Sequence, residues 1–340
     1  MAKVLVTGGT GYIGSHTVVE LVKEKHEVII ADNLSNSTID VLDGIQKITG
    51  VTPAFVNVDL ADVVETASLF SEYKNIDAVI HFAALKAVGE SVTQPMRYYR
   101  NNLFSLLNVI DGMNDHAIEN IIFSSSCTVY GIPDVLPVTE ATAVKPANSP
   151  YGNTKQIAEE ILSETCQGND KVRCVSLRYF NPVGAHDSAE IGELPLGVPN
   201  NLLPYITQTA AGVRDNLSVF GDDYNTPDGT GIRDYIHVVD LSKAHVAALR
   251  RLIDKKQLTN FEVFNIGTGK GYSVMEVINS FKKVSGVDLL FNVVERREGD
   301  IAAIYADTSL ARKELSWKAE LSLDQMTASA WKWEQKIRGL

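Results

Sequence analysis

Thr7-Gly8-Gly9-Thr10-Gly11-Tyr12-Ile13-Gly14 is the stretch of sequence that decides the fold. It follows an apolar run at residues 3–7 and precedes an amphipathic segment at residues 13–25, which predicts a strand, a tight turn and a helix. The G-x-x-G-x-x-G spacing is a variant of the glycine fingerprint of dinucleotide-binding βαβ units. Gly8 permits the turn, Gly11 lets the backbone approach a pyrophosphate, and Gly14 allows close packing of helix on strand. Free N–H groups at the helix start attract the anion.

Apolar runs and helix-period segments alternate through the first half of the chain. The predicted buried strands are residues 3–7, 27–32, 54–59, 78–83, 120–126 and 172–179. Amphipathic segments of helix length lie between them, for example residues 156–166. Buried strands joined by helices run parallel, with the helices on both faces of the sheet. The sequence therefore predicts an α/β fold with a doubly wound, parallel sheet of the Rossmann type.

The character of the sequence changes after Phe180-Asn181-Pro182. Loops rich in Gly, Pro and Asn follow at residues 192–201 and 224–231, which predicts a second, smaller α/β domain. A later helix at 241–253 and a strand at 261–267 have the βαβ pattern again. We therefore predict a dinucleotide-binding domain at residues 1–180, to which 233–268 returns, and a substrate-binding domain at residues 181–340.

Composition argues against several classes of partner and site. The formal net charge of −11 and the lack of a Lys/Arg run predict no nucleic acid as a partner. The three cysteines, Cys127, Cys166 and Cys174, are scattered, which predicts neither a disulfide framework nor a zinc site. No signal peptide and no apolar run of membrane-spanning length is visible. We therefore expect a cytoplasmic protein. We also expect that it uses no metal, because His237 and His245 lack the partners of a metal motif.

Asp32 ends the second predicted strand. Dinucleotide-binding folds place there the acid that hydrogen-bonds a ribose. A carboxylate at this position repels a 2′-phosphate, so the residue favours NAD over NADP as the cofactor.

Tyr151 and Lys155 lie four residues apart behind Ser149-Pro150, so Pro150 marks the helix start and both side chains share one face. Tyrosine is a poor base at neutral pH, because its reference pKa is about 10. A lysine ammonium and a nicotinamide cation beside it would lower the pKa of the phenol and create a general base. Ser124-Ser125-Ser126 ends the fifth predicted strand, where doubly wound sheets bind ligands. We expect a serine hydroxyl to donate to the reacting oxygen.

With these motifs the sequence resembles the extended short-chain dehydrogenase/reductase superfamily, and within it the UDP-glucose 4-epimerase family. The resemblance covers nearly the whole chain and depends on an ordered set of further motifs. They are Asp32-Asn33-Leu34-Ser35-Asn36-Ser37, His81-Phe82-Ala83-Ala84-Leu85-Lys86, Ser124-Ser125-Ser126-Cys127-Thr128-Val129-Tyr130-Gly131, Arg178-Tyr179-Phe180-Asn181-Pro182, Pro199-Asn200-Asn201-Leu202, Asp228-Gly229-Thr230-Gly231-Ile232-Arg233-Asp234-Tyr235-Ile236-His237 and Arg296-Arg297-Glu298-Gly299-Asp300.

The resemblance implies an enzyme that interconverts UDP-glucose and UDP-galactose. Ser126 and Tyr151 would be the acid/base pair, with Lys155 beside them, and a tightly bound NAD would accept and return the hydride of sugar C4 through a 4-keto intermediate. The implied cofactor-binding residues are Gly8, Gly11, Tyr12, Ile13, Gly14, Asp32, Asn33, Ser35, Asn36, Ser37, Asp59, Leu60, Phe82, Ala83, Ala84, Lys86, Asn101, Ser126, Tyr151, Lys155 and Phe180. The implied residues for the UDP-hexose are Lys86, Ser126, Tyr151, Asn181, Asn201, Leu202, Ser218, Val219, Phe220, Arg233, Arg297, Asp300 and Ile304. A homodimer through the helices after the fourth and fifth strands is implied as well.

Other activities stay open at this point. A nucleotide-sugar 4,6-dehydratase would share the fold, NAD and the tyrosine, but an Asp-Glu pair is expected where this chain has Ser126-Cys127. A net reductase or dehydrogenase, and a NAD-binding regulator without catalysis, are further alternatives, although such regulators usually lose the tyrosine or the lysine. By the resemblance, Ile304 stands at the position that gates the sugar pocket. A UDP-N-acetylhexosamine 4-epimerase is therefore an alternative too, with weak acceptance of N-acetylated sugars expected.

Overall fold

The computed structural model of the chain describes residues 1–297 and 300–340. Its strands are β1 (Lys3–Thr7), β2 (Glu27–Asp32), β3 (Ala54–Asn57), β4 (Ala78–His81), β5 (Asn120–Ser126), β6 (Arg173–Tyr179), β7 (Asn181–Val183), β8 (Leu217–Phe220), β9 (Ile232–Arg233), β10 (Tyr235–His237), β11 (Phe261–Ile266), β12 (Tyr272–Ser273), β13 (Phe291–Val294) and β14 (Ala303–Ile304). Its helices are α1 (Tyr12–Lys23), α2 (Val41–Thr49), α3 (Val63–Glu72), α4 (Val88–Thr93), α5 (Pro95–Asp115), α6 (Pro150–Gly168), α7 (Leu202–Ala210), α8 (Val238–Ile253), α9 (Val274–Ser285), α10 (Ser309–Glu314) and α11 (Leu323–Arg338), and a 3-10 helix spans Cys127–Tyr130. Within the described residues, no helix combines the length and the apolar character needed to cross a membrane.

Seven parallel strands form the central sheet, in the order β11-β6-β5-β4-β1-β2-β3. Side chains alternate along each strand and pack into two cores, one on each face of the sheet. Val4 and Val6 of β1 lie in the core with α1 and α8, whereas Leu5 lies in the opposite core with α3, α5 and α6. The predicted doubly wound α/β fold is confirmed.

The predicted strands differ from the observed ones mainly at their ends. β3 ends at Asn57 rather than at residue 59, because its neighbour β2 ends at Asp32, directly opposite Asn57. β4 ends at His81 rather than at residue 83, opposite the point where β1 turns into the glycine loop. The length of these strands is set by their neighbours, which hydrophobic periodicity does not reveal.

The second half of the chain forms three small sheets, β10-β7, β12-β9-β14 and β13-β8. Helices α7, α9 and α11 pack with them around a third core that includes Ile206, Phe281 and Met326. Trp331 of α11 packs edge-on against Phe281, with 5.6 Å between the ring centroids. β11 comes late in the chain yet lies at the edge of the central sheet, beside β6. The domain boundary at residue 180 stays a prediction.

Candidate active site

The glycine turn lies where the strand order of the central sheet reverses, between β1 and β4. Such a switch point is where open α/β sheets bind ligands. Gly8 has a φ of 68°, and a Cβ atom on it would be 2.8 Å from the amide nitrogen of Ala83. A Cβ atom on Gly14 would be 2.2 Å from the Gly8 carbonyl oxygen. Both positions therefore require glycine.

The first turn of α1 is open to an anion. Its N-cap residue is Gly11, which has no side chain to accept from the first N–H groups of the helix. Tyr12 and Ile13 are the first two helical residues, and the Tyr12 hydroxyl donates to the Gly184 carbonyl at 2.6 Å. Uncapped N–H groups beside a glycine turn suit a pyrophosphate. This part of the site fits a dinucleotide.

Asp32 fixes the loop that follows β2. Its Oδ1 accepts from the Leu34 amide at 2.9 Å, and its Oδ2 accepts from the Thr10 amide at 3.2 Å. The Ser37 hydroxyl bonds the Thr10 hydroxyl at 2.7 Å, while the predicted neighbours Asn33, Ser35 and Asn36 are exposed. Oδ1 also accepts from the Ser37 hydroxyl at 3.4 Å, so Oδ2 is the carboxylate oxygen that keeps a lone pair for a further donor, such as a ribose hydroxyl.

Asn102, which sequence reasoning missed, fixes the segment after β4. Its Oδ1 accepts from the Leu85 amide at 2.8 Å, and its Nδ2 donates to the Leu85 carbonyl at 3.0 Å and to the Thr154 hydroxyl at 3.1 Å. Asn101, the residue predicted for this place, donates to Asn102 at 3.0 Å. Asn102 thus ties α6 to the segment that holds the predicted cofactor residues Phe82, Ala83, Ala84 and Lys86.

Some predicted binding residues have their side chains in the hydrophobic cores. Leu60 packs in the core with α3 and α5, and Val219 packs in the third core. The predicted neighbour Asp59 turns its Oδ1 to the Ala61 amide at 3.0 Å. Leu60 and Val219 could therefore meet a ligand only through their backbone, because their side chains are buried.

Ser126, Tyr151 and Lys155 meet at the carboxyl end of β5. Helix α6 begins at Pro150 and is capped by the Ser149 hydroxyl, which accepts from the Gly152 amide at 3.1 Å. Tyr151, Ser126 and Lys155 are each no more than 8% exposed. The Ser126 hydroxyl interacts with the Tyr151 phenol, and Lys155 Nζ donates to the Ser124 carbonyl at 2.6 Å.

The groups of the protein itself do not make Tyr151 acidic, so the predicted lowering of its pKa depends on the nicotinamide cation. Burial raises the pKa of Tyr151 well above its ordinary value, the nearby Tyr179 phenol adds to the rise, and the contact with Ser126 opposes it only in part. Burial also lowers the pKa of Lys155 to about 8. Its ammonium is present at neutral pH, but its hydrogen bond goes to Ser124 rather than to the phenol. Lowering the pKa of Tyr151 requires a further positive charge beside it.

A buried ion pair lies one turn beyond Lys155 on α6. Glu159 and Arg178 are each 6% exposed, and the nitrogens of the guanidinium lie 2.6 to 3.1 Å from the carboxylate oxygens. The hydroxyls of Ser125 and Ser176 donate to the same carboxylate at 2.6 and 2.8 Å. The pair holds the helix that carries Tyr151 against β5 and β6.

Residues predicted for the sugar nucleotide form a second cluster on β8, β9 and the segment before β14. Arg233 pairs with Asp300 at 3.3 Å, and the Arg297 guanidinium lies 4.3 Å from the centre of the Phe220 ring. Phe220 is 39% exposed. Guanidinium groups suit a diphosphate and an open aromatic ring suits a base. Glu298 and Gly299, which belong to the same motif, lie outside the described residues.

Ile304 connects this cluster to the catalytic residues. It lies opposite Arg233 in the pairing of β14 with β9. Its side chain is buried with Phe180, Val129 and Tyr130 in a fourth core. Val129 and Tyr130 belong to the 3-10 helix that directly follows Ser126. Four other predicted substrate residues lie on neighbouring elements: Asn181 begins β7, Asn201 is the N-cap of α7, Leu202 begins α7, and Ser218 lies on β8.

Comparison with known proteins identifies the family. The family model for GDP-mannose 4,6 dehydratase matches residues 5–330. The UDP-glucose 4-epimerase of Dictyostelium discoideum is 49% identical over 98% of this chain and 95% of its own. The chain belongs to the UDP-glucose 4-epimerase family. This confirms the resemblance inferred from the motifs.

Solved structures of UDP-glucose 4-epimerases share the whole fold. The enzyme from Stenotrophomonas maltophila, with bound NAD and formylated UDP-arabinopyranose, has a TM-score of 0.95 at 48% identity and covers 100% of this chain and 99% of its own. The enzyme from Bifidobacterium longum, in complex with NAD+ and UDP, has a TM-score of 0.93 at 49% identity, over 98% of each chain.

Tyr179 and Glu193, which sequence reasoning missed, contact residues of the candidate site in this epimerase-family chain. Tyr179 ends β6 directly beside Ser126, and its hydroxyl bonds the Ser124 hydroxyl. Its position at the carboxyl end of a central strand is the signal that could have identified it. Glu193 contacts both Lys86 and Asn201, but it lies in a loop where no motif points to a role.

His237 and His245 are hydrogen-bonded within the fold of this epimerase-family chain. His237 Nε2 contacts the Ser329 hydroxyl at 3.0 Å, and His245 Nδ1 contacts the Leu241 carbonyl at 2.9 Å. Burial lowers the pKa of each to about 4, so both are neutral at pH 7. Across residues 1–297 and 300–340, no group of three or more His, Cys, Asp or Glu side chains is arranged to hold a metal ion.

Proposed function

We propose that this protein interconverts UDP-glucose and UDP-galactose with a resident NAD. The observation that carries the proposal is the contact of the Ser126 hydroxyl with the Tyr151 phenol in a buried site at the carboxyl edge of the sheet. The glycine turn lies at the same edge, and Ile304 packs between these residues and Arg233. Membership of the epimerase family supports the same reaction.

The glycine turn, the uncapped start of α1 and Asp32 would hold the NAD. When bound there, NAD supplies a hydride acceptor and donor together with a positively charged ring. The fit depends on features of this chain, namely the close approach that Gly8 and Gly14 permit and the free lone pair of Asp32 Oδ2. Since an epimerase ends each cycle with the cofactor in its original state, the NAD can stay bound.

Tyr151 is proposed as the group that takes and returns the proton of the sugar 4-hydroxyl. Its phenol is buried, and its pKa is raised by that burial, so the base forms only when a cation adjoins it. Ser126 lies beside the phenol and would donate to the same sugar oxygen. Lys155, held by the Ser124 carbonyl, keeps a positive charge in the site at neutral pH. Loss of that proton to Tyr151 and of the C4 hydride to NAD would give a 4-keto sugar, and return of both after the sugar has turned about its diphosphate linkage would give the epimer.

A 4,6-dehydratase is the alternative that the family model raises. Such an enzyme needs carboxylates to expel the 6-hydroxyl, and Ser126 and Cys127 supply none. Asp234 lies near enough to add to the rise in the Cys127 pKa that burial causes. Its two oxygens already accept four hydrogen bonds, from the amides of Thr268, Gly269 and Ala306 and from the Thr268 hydroxyl. These contacts favour a structural role for Asp234.

Tyr151 and Lys155 are both present, which argues against a non-catalytic regulator.

The test is to desalt the purified protein, add UDP-galactose without any nucleotide cofactor, and follow UDP-glucose by chromatography. We expect UDP-glucose to form until the two sugars reach equilibrium. Loss of the 6-hydroxyl would identify a dehydratase, and a net requirement for added NAD or NADH would identify a dehydrogenase or reductase. No turnover under any of these conditions would contradict an enzymatic role.

Ile304 is proposed to limit the sugars that are accepted. Its side chain is packed against Phe180 and Val129, so a bulky 2-N-acetyl group would have to displace buried atoms. We expect kcat/KM for UDP-N-acetylgalactosamine to be about tenfold below that for UDP-galactose. An Ile304→Ala variant should bring the kcat/KM values for the two substrates closer together, because the smaller side chain enlarges the sugar pocket. Equal efficiencies in the unaltered protein would contradict the gate and favour a UDP-N-acetylhexosamine 4-epimerase.

We infer that two copies associate through α5 and α6 in a reducing, cytoplasmic compartment. Phe104 and Leu107 lie one turn apart on α5 and are 50% and 40% exposed, which suits a helix-to-helix interface. Cys166 and Cys174 are buried free thiols, in keeping with a reducing environment. Light scattering should give the mass of a dimer, and a Phe104→Glu variant should give that of a monomer.

A further inference from the structure

Glu193 lies between the predicted cofactor-binding residues and the predicted substrate-binding residues, and its backbone is held by packing. Its backbone carbonyl accepts from the Trp333 indole of α11 at 2.9 Å. The preceding Gly192 pairs with Ala185 as an isolated bridge, and a Cβ atom on it would be 2.4 Å from the Trp333 ring. The segment of Gly192 and Glu193 thus packs against α11, and this packing fixes the position of the Glu193 side chain.

The Glu193 carboxylate joins a predicted cofactor residue to a predicted substrate residue. Oε1 accepts from Asn201 Nδ2 at 2.7 Å, and the same oxygen lies 3.5 Å from Lys86 Nζ. The Glu193 side chain is 11% exposed. Burial raises the pKa of Tyr12, at the start of α1, and the charge of Glu193 raises it further. One carboxylate therefore faces Lys86, Tyr12 and Asn201.

Asn201 has an unusual orientation for its place in the fold. It is the N-cap residue of α7, with extended backbone angles, yet its side chain makes no capping hydrogen bond. An asparagine at this position ordinarily accepts from the second or third N–H of its helix. The bond to Glu193 turns the amide away from that role. The first N–H groups of α7 and Asn201 Oδ1 consequently keep their hydrogen-bonding capacity.

We propose that Glu193 is a positioning residue for the binding of the sugar nucleotide. Its carboxylate holds the Asn201 side chain away from the first N–H groups of α7. Lys86 keeps the carboxylate in place from the cofactor side. The proposal rests on the proposed function, because Asn201 is taken as a residue that meets the UDP-hexose. Glu193 would act through Asn201 and would not itself contact the sugar nucleotide.

The test compares Glu193→Ala, Asn201→Ala and the double variant, each purified with its NAD, by calorimetric titration with UDP. We expect each single variant to bind UDP about tenfold more weakly, the effect of losing one good hydrogen bond. The double variant should bind no more weakly than Asn201→Ala alone, since Glu193 acts through that residue. Glu193→Gln keeps an oxygen that accepts from Asn201, so it should restore most of the affinity.

Glu190→Ala is the matched control, because this glutamate lies three residues away and pairs with the surface lysines Lys47 and Lys336. It should bind UDP as the unaltered protein does. Unchanged affinity in Glu193→Ala, additive losses in the double variant, or failure of Glu193→Gln to restore binding would each overturn the role of Glu193. Failure of the unaltered protein to bind UDP would instead overturn the proposed function, and the inference with it.

Discussion

Replacement of Tyr151 by phenylalanine is expected to lower kcat for UDP-galactose by about 10³-fold, within the range that general acid–base groups contribute. The substitution removes only the phenol oxygen from a buried side chain, so the packing of the ring is kept. Affinity for UDP and the content of NAD should therefore stay as in the unaltered protein. The measurements are conversion of UDP-galactose to UDP-glucose, calorimetric titration with UDP, and the absorbance of released cofactor.

Tyr99 offers a control with the same chemical change. It lies on α5, and its hydroxyl accepts from Asn153 Nδ2 of α6 at 2.7 Å. The Tyr99→Phe variant loses that bond but nothing of the proposed chemistry, so it should keep the kcat of the unaltered protein. Equal kcat values for the two variants would show that Tyr151 is not the base.

Substitution of Glu159 by alanine is expected to lower the free energy of unfolding by about 3–5 kcal/mol, because it leaves a buried guanidinium without its partner. Arg178 would lose all three contacts to the carboxylate, and the hydroxyls of Ser125 and Ser176 would lose their acceptor. Urea unfolding followed by circular dichroism measures the change through the midpoint and slope of the transition.

Glu160 is the neighbouring residue on the same helix and is exposed. Its replacement by alanine should change the free energy of unfolding by no more than about 0.5 kcal/mol. A similar midpoint for Glu159→Ala and Glu160→Ala would contradict the role given to the buried ion pair.

The fold and the geometry of the glycine turn could be predicted because their signals are local. The spacing of Gly8, Gly11 and Gly14 lies within one turn and one helix start, and Asp32 ends the next strand. Pro150 marks the beginning of α6, as predicted. Each of these features depends on backbone geometry over a few residues, which the residue types themselves report.

The electrostatics of the site could not be predicted, because they depend on burial and on contacts between distant segments. The Tyr-Lys spacing correctly places both side chains on α6, but it does not reveal that the phenol is enclosed or that Lys155 is engaged by Ser124. Lys86 and Glu193 meet across more than one hundred residues of chain. Nothing in the residues beside Glu193 indicates that contact.

The late return of β11 to the central sheet bears on how the chain is made. β6 ends at Tyr179, whereas its outer neighbour begins only at Phe261. At ordinary synthesis rates of about 5–20 residues per second, six strands leave the ribosome several seconds before the seventh exists. During that interval the outer edge of β6 has free N–H and C=O groups, a template for pairing with another nascent chain. Chains that stall or are truncated between these two strands are therefore expected to be the ones that aggregate and need a chaperone.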